Sequence, residues 1–506
     1  MTEGIAALER GDLAAAKLFF ERALAADPRS VEAHTYLGVL ADRAGDLKEA
    51  EKHFAAAAMN APFLPSARNN HGAILLRLGR TAQATAQFEA SLKLDPNQPS
   101  ALINLAQIHS DAGTPGQLNR ARELFSRAQA IAPDLSVARA LVAIALRLGD
   151  AAAAKGYYRD YQSLAAATSA AAPSGTDGAS SHAALGAALL SAGLAGEAVV
   201  ELTAAHALAP TDTDVIVRLA SAHLAQGDVP AAGRTLEAAV ARGLDTAPIY
   251  AALAEVYVKS DHIENAIPAM RLAIERDPKN ETYRFRYGML LTDTKAPAAA
   301  VIRLQEALQE FPGSSRLWFA LGVAQTALDK PEEAAKSFER ARELDPKFAP
   351  ALAYLGMTYD HQGRYADAVR LYEQALKLDD RLAAAHYLAA EATLKQPSAN
   401  TASAEAHLAR AVSLDPSFAP ARLSLAKLYL AADRMDEAIV HLQSAVATDP
   451  NLAEAHYHLG RALKRLKRDA ESQVALATFK RLSEEKREQK RNEPREIMRR
   501  LANVRF

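Results

Sequence analysis

Residues 315–348 read SRLWFALGVAQTALDKPEEAAKSFERARELDPKF, and the spacing within them decides the fold. Leu321, Leu328 and Phe338 supply apolar bulk at helical intervals, while Gly322, Ala334 and Ala341 are small enough to let two helices approach closely. Pro331 sits where the first turn of a helix tolerates a missing N–H, and Glu332 supports Lys336 one turn later. Asp345-Pro346 then stops the second helix. The stretch is a helix, a short turn and a helix, and neither helix can bury its apolar stripe alone.

The unit recurs in both directions. A small residue returns every 34 positions at Ala220, Ala254, Gly288, Gly322, Gly356 and Ala390, and a second series runs Ala266, Ala300, Ala334, Ala368. Pro278, Pro312 and Pro346 keep the same step. Closer to Met1 the phase is carried by Gly38 and Gly72, Ala50 and Ala84, Phe54 and Phe88, and Pro62 and Pro96. Repeats of this kind stack, each burying its neighbour's face in a quasi-one-dimensional core.

The pattern Trp318-x-x-Leu321-Gly322, Ala334-x-x-x-Phe338, Ala341, Pro346, followed by Leu355-Gly356-x-x-Tyr359 and Ala368-x-x-x-Tyr372, resembles the tetratricopeptide repeat. About fourteen units cover nearly the whole chain. The resemblance implies an all-α fold, a right-handed α-solenoid of antiparallel helix pairs. It also implies a concave groove lined by the first helix of each pair, and a role in holding other proteins.

Irregularities divide the chain. Residues 168–181, TSAAAPSGTDGASS, lack periodicity and read as a Ser/Gly/Ala-rich linker between a first array at 1–167 and a second at 182–482. Insertions near Gly113-Thr114-Pro115-Gly116 and near Pro397 are expected to lengthen turns. Residues 483–506 form a basic charged tail. From Lys464 to Phe506 there are 14 basic and 7 acidic side chains, against a net charge of −1 for the whole chain. Contact with nucleic acid or an anionic surface is the lesser reading of this tail, because interleaved Glu484, Glu485, Glu488 and Glu496 suit a solvated capping helix.

The absence of cysteine excludes disulfides and thiolate chemistry, and no phosphate loop, HExxH, EF-hand loop or GxSxG elbow is present. The expectation is a non-enzyme with no cofactor and no metal. His456-Tyr457-His458 is the nearest approach to a metal pair, but adjacent helical residues diverge. Asp360-His361 reads as a solvated turn and Trp318 as packing. No stretch is apolar enough to span a membrane, and Glu3, Glu9, Arg10 and Asp12 occupy the place of a signal peptide's apolar core. Cytoplasmic placement follows, unless a leader precedes Met1, where the first unit is short.

Binding residues are sought on the groove face. The residue two before each small position gives Asn70, Asn104, Arg218, Arg286 and Tyr354, and the residue one earlier gives Phe285, Phe319, Tyr387 and Tyr457. By the resemblance, Asn70 and Asn104 hold places where an amide can both donate to and accept from an extended peptide. Phe285, Phe319 and Tyr354 would form an aromatic stripe beside Arg286. The expected partners are proteins or peptides, bound by a scaffold. The alternative is a subunit of a bacterial envelope or polysaccharide export and assembly machine.

Overall fold

A computed structural model of the chain describes residues 1–168 and 175–485. Among these residues there are 28 helices and no strand, two helices to a repeat. Consecutive helices pack as pairs, as Val31–Arg43 does with Leu47–Asn60 and Ser315–Ala327 with Pro331–Leu344. The architecture is an α-solenoid of helix pairs, falling into two compact units, Met1–Ser260 and Asp261–Phe506.

The small series owes its existence to one contact inside each pair. A Cβ added at Gly322 would stand 2.5 Å from the Phe338 ring, at Gly72 2.7 Å from Phe88, and at Gly356 2.8 Å from Tyr372. At these three positions no Cβ fits under the ring, so glycine lets the aromatic side chain in, while Ala220, Ala254 and Ala390 hold the position where the partner is not aromatic. Phe88, Phe338 and Tyr372 are accordingly fully buried.

The position held by Trp318 serves the turns as well as the core. Its indole packs against the core of the second unit, half-buried, while its Nε1–H donates to the Pro312 carbonyl at 3.1 Å. Equivalent residues of other repeats reach the equivalent carbonyl: Arg68 to Pro62 at 2.9 Å, Arg422 to Pro416 at 2.8 Å and His456 to Pro450 at 3.0 Å. Tryptophan, arginine and histidine each bring an N–H on a long arm to this carbonyl, while Leu102, Ile216 and Leu352 hold the same position by burial alone.

Several second helices in the first unit begin on aspartate caps. Asp12 accepts from the Ala15 N–H at 3.0 Å, Asp46 from Glu49 at 3.1 Å and Asp228 from Ala231 at 3.0 Å. The insertion near Gly113 does not lengthen its turn. Thr114 caps a helix that starts at Pro115, and the extra residues extend it to 17 residues, Pro115–Ile131, where its counterpart Thr81–Leu94 has 14. Proline at the first helical position pulled the inserted residues into the helix. Near Pro397 the turn itself is longer, from the end of Ala383–Leu394 to the start of Thr401–Leu414.

Much of the linker expected at 168–181 is helix. Gly175–Ser191 is a first helix, and its Leu185 and Leu189 join Tyr158, Leu202 and Leu219 in one core cluster. The Tyr158 hydroxyl donates to Glu201 Oε1 at 2.8 Å, and His182 Nδ1–H donates to Glu201 Oε2 at 2.7 Å, all three groups buried. Composition pointed to a flexible stretch, but the burial of Leu185 and Leu189 one turn apart recruits the segment into the stack. The division into compact units comes at Ser260–Asp261 instead. Residues 169–174 of the expected linker, and 486–506 of the tail, lie outside the described residues.

Candidate functional site: the first-helix face

In the first unit the first helices of successive repeats carry a polar row. Asn104 Nδ2 donates to Asn69 Oδ1 at 3.1 Å, joining Pro99–Ala112 to Pro65–Arg77, while Asn70 is half-buried beside it. Asn69 is the member that sequence reading missed. At only 7% exposure it acts as the anchor for Asn104 rather than as a free amide. Asn104 keeps its carbonyl for another donor.

The same unit holds a cleft of about 730 Å³ lined by Arg139, Ala143, Leu146, Arg147, Leu185 and Ala188. Its walls are the first helices Leu135–Arg147 and Gly175–Ser191. Arg139 is held by the Ser181 hydroxyl and carbonyl, and Arg147 donates to the Ser110 carbonyl at 2.9 Å. An apolar floor therefore lies between two guanidinium groups whose positions are fixed by backbone oxygens. Sequence reading had no access to this cleft, because one wall overlaps the expected linker. Farther along, Arg218 is exposed and paired with Asp214 at 2.6 Å, one turn earlier on its own helix.

The second unit corrects the aromatic stripe. Phe319 and Tyr354 are fully buried and Phe285 is 4% exposed. Phe319 meets Tyr354 edge-on at 5.0 Å and Phe348 at 5.2 Å, and Tyr354 lies 5.5 Å from Phe338. Tyr354 reaches into the preceding repeat and packs against both of its helices, so the expected stripe is core. Burial pushes the Tyr354 phenol well above its ordinary range. Arg286 is exposed, but the cation over the Phe285 ring is Arg316, at 4.9 Å.

Tyr387 and Tyr457 are half-buried. Tyr387 lies 5.1 Å from Phe418, and Tyr457 lies 5.1 Å from Phe479 while accepting from Arg461 at 3.1 Å. Asp360 is no solvated turn residue. Its side chain is 8% exposed and receives Lys395 Nζ. His456 is spent on the Pro450 carbonyl and His458 faces Glu454 at 3.6 Å. Among the described residues, no group of three or more histidine, cysteine, aspartate or glutamate side chains could hold a metal ion.

Family profiles described as tetratricopeptide repeat match residues 1–65, 75–143, 189–257, 251–315, 291–356, 349–382 and 398–451. The chain is a tetratricopeptide-repeat protein. It is similar to the type IV pilus assembly protein PilF of Pseudomonas aeruginosa, with 29% identity over 134 residues, 26% of this chain and 53% of that protein. The match thus spans about half the length of that curated relative. Among solved structures, the tetratricopeptide chain is similar to the APC/C hetero-tetramer Cut9-Hcn1, at 16% identity and a TM-score of 0.42, covering 91% of this chain and 95% of that one. YrrB, a tetratricopeptide protein whose structure is described as having an unusual peptide-binding site, matches at 20% identity and a TM-score of 0.31, over 35% of this chain and 91% of that one.

Proposed function

We propose that the chain is a non-catalytic scaffold that holds an extended segment of a partner protein against the first-helix face of its first unit. The observation that carries this reading is that one unit presents both the asparagine pair with Asn70 beside it and the cleft between Arg139 and Arg147. Amides along the row suit a peptide backbone, and the apolar floor between two arginines suits apolar side chains next to a carboxylate. In the second unit the equivalent aromatic side chains are consumed by packing, which leaves Arg286, Tyr387 and Tyr457 as its contribution.

The test uses partners crosslinked to the chain in its source cell, their binding segments synthesised as peptides. Asn70→Ala with Asn104→Ala should weaken binding at least about tenfold, some 1.4 kcal/mol, with helicity retained. Unchanged affinity in the folded variant would remove the row from the site.

A second reading, a subunit of a bacterial envelope assembly machine, is favoured by the similarity to PilF. No helix among the described residues is long and apolar enough to cross a membrane. In this reading the chain meets such a machine through protein contacts, and location of the tagged protein by cell fractionation separates it from the cytoplasmic expectation.

A further inference from the structure

Two repeats carry a pair of histidines where others carry unlike residues. His34 Nδ1 lies 3.0 Å from His53 Nδ1, and His386 Nδ1 lies 2.9 Å from His407 Nδ1. His34 and His386 occupy the Trp318 position of their repeats, each with Nε2 on the usual loop carbonyl, Pro28 at 3.2 Å and Asp380 at 3.1 Å. The carbonyl fixes the tautomer: Nε2 must carry the hydrogen, so Nδ1 of the neutral ring is a bare acceptor. The partner rings, His53 and His407, must then donate through Nδ1–H.

Geometry separates a shared proton from a shared metal. The ring centres are 5.3 and 5.2 Å apart, close to the N···N separation plus two ring radii, so the nitrogens point at each other. A zinc ion needs about 2.0–2.1 Å to each nitrogen, and a head-on gap near 3 Å leaves no room for it. Each pair is an N–H···N hydrogen bond tying the first helix of a repeat to its second.

We infer that the His34–His53 and His386–His407 pairs are proton clasps, which close their repeats at neutral pH and open when the acceptor ring takes up a proton. A proton on Nδ1 of the acceptor ring sets two N–H groups head to head and removes the hydrogen bond. His53 Nε2 stands 3.3 Å from Glu49 Oε1.

Burial holds His53, His386 and His407 below the usual histidine range. Around the first clasp stand Lys17 and Glu21 from Leu13–Ala26, Arg43 from Val31–Arg43, and Asp46, Glu49 and Lys52 at and within Leu47–Asn60. His71 from Pro65–Arg77 is turned to Glu51. Around the second stand Glu373 from Tyr365–Leu378, Asp380 in the loop and Arg410 from Thr401–Leu414, while Arg422 from Ala419–Ala431 is turned to Pro416. With folded values depressed, the stabilisation is complete above the ordinary histidine range and is lost as pH falls below it.

Hydrogen exchange of the full chain at pH 7.5 and 5.0, corrected for intrinsic rates, tests the clasps. Helices Val31–Arg43, Leu47–Asn60, Ala383–Leu394 and Thr401–Leu414 should lose at least about fivefold more protection on acidification than Ser315–Ala327 and Pro331–Leu344, where Trp318 replaces histidine. Equal change in all six helices would overturn the inference. The variant His53→Gln with His407→Gln supplies a second arm, because an amide donates to the neutral ring and can turn its oxygen to accept from the protonated one. It should keep protection at both pH values, and acid sensitivity like that of the parent would also overturn the inference.

Discussion

Lys395 Nζ lies 3.0 and 2.8 Å from the two carboxylate oxygens of Asp360, 35 positions earlier on the first helix of the preceding repeat. The arrangement recurs in the first unit, where Arg77 pairs with Asp42 at the same separation of 35. Successive repeats are thus stapled at the ends of their first helices by charge as well as by packing. The Asp360 side chain is 8% exposed and that of Lys395 is 44% exposed, so the staple is half in water. Lys395→Ala strands a buried carboxylate and should cost about 1–3 kcal/mol, less than the loss of a partner in a fully buried pair. A double-mutant cycle with Asp360→Asn by chemical denaturation measures the coupling, and a coupling near zero would show that the pair contributes nothing.

Gly322→Leu should lower stability by roughly 1–3 kcal/mol through overpacking against Phe338. Gly116→Ala is the control, since a Cβ there has nothing within 4 Å. Thermal melts of the two variants side by side settle the point. Equal midpoints would mean that the Gly322–Phe338 contact does not set the helix spacing.

Trp318 is a donor as well as a packing residue, so its replacements divide by chemistry. Trp318→Phe leaves the Pro312 carbonyl without its partner and should cost about 0.5–1.5 kcal/mol beyond the lost apolar area. Trp318→Arg should recover the hydrogen bond, as Arg68 and Arg422 show for their repeats. If the arginine variant melts below the phenylalanine variant, the carbonyl contact is secondary.

At the turn between paired helices the chain passes through positive φ. Gly363 stands there at 75°, while Lys295 holds the equivalent turn at 62°. A side chain in that region costs about 1–2 kcal/mol, and glycine's greater freedom in the unfolded chain returns part of the gain. Lys295→Gly should therefore stabilise by about 0.5–1 kcal/mol in urea titration, whereas a loss would mean that the lysine side chain has a compensating role.

A protease site inserted between 169 and 174, once cut, should leave two fragments that stay together on gel filtration. The shared core of Tyr158, Leu185, Leu189 and Leu202 and the buried Tyr158–Glu201–His182 network hold them. Separation into independent fragments would restore the two-array reading of the sequence.

What the sequence determined by itself is the repeating unit. Helical spacing of Leu321, Leu328 and Phe338, glycine or alanine at the close contact and proline at helix ends are local signals, and local physics places every helix pair that follows them. Tertiary structure decided where each side chain on the first helix goes. Phe319 and Tyr354 share a helix face with positions expected to line a groove, yet their rings enter the neighbouring repeat, because stacking buries whatever large apolar surface it can reach. Asp360 reads as a polar turn until Lys395 arrives from the next repeat. Residues 175–181 read as linker until the burial of Leu185 and Leu189 outweighs their composition. The first two outcomes depend on a partner 35 positions away in the chain, and the third on Tyr158, Leu202 and Leu219, which come from other helices of the stack.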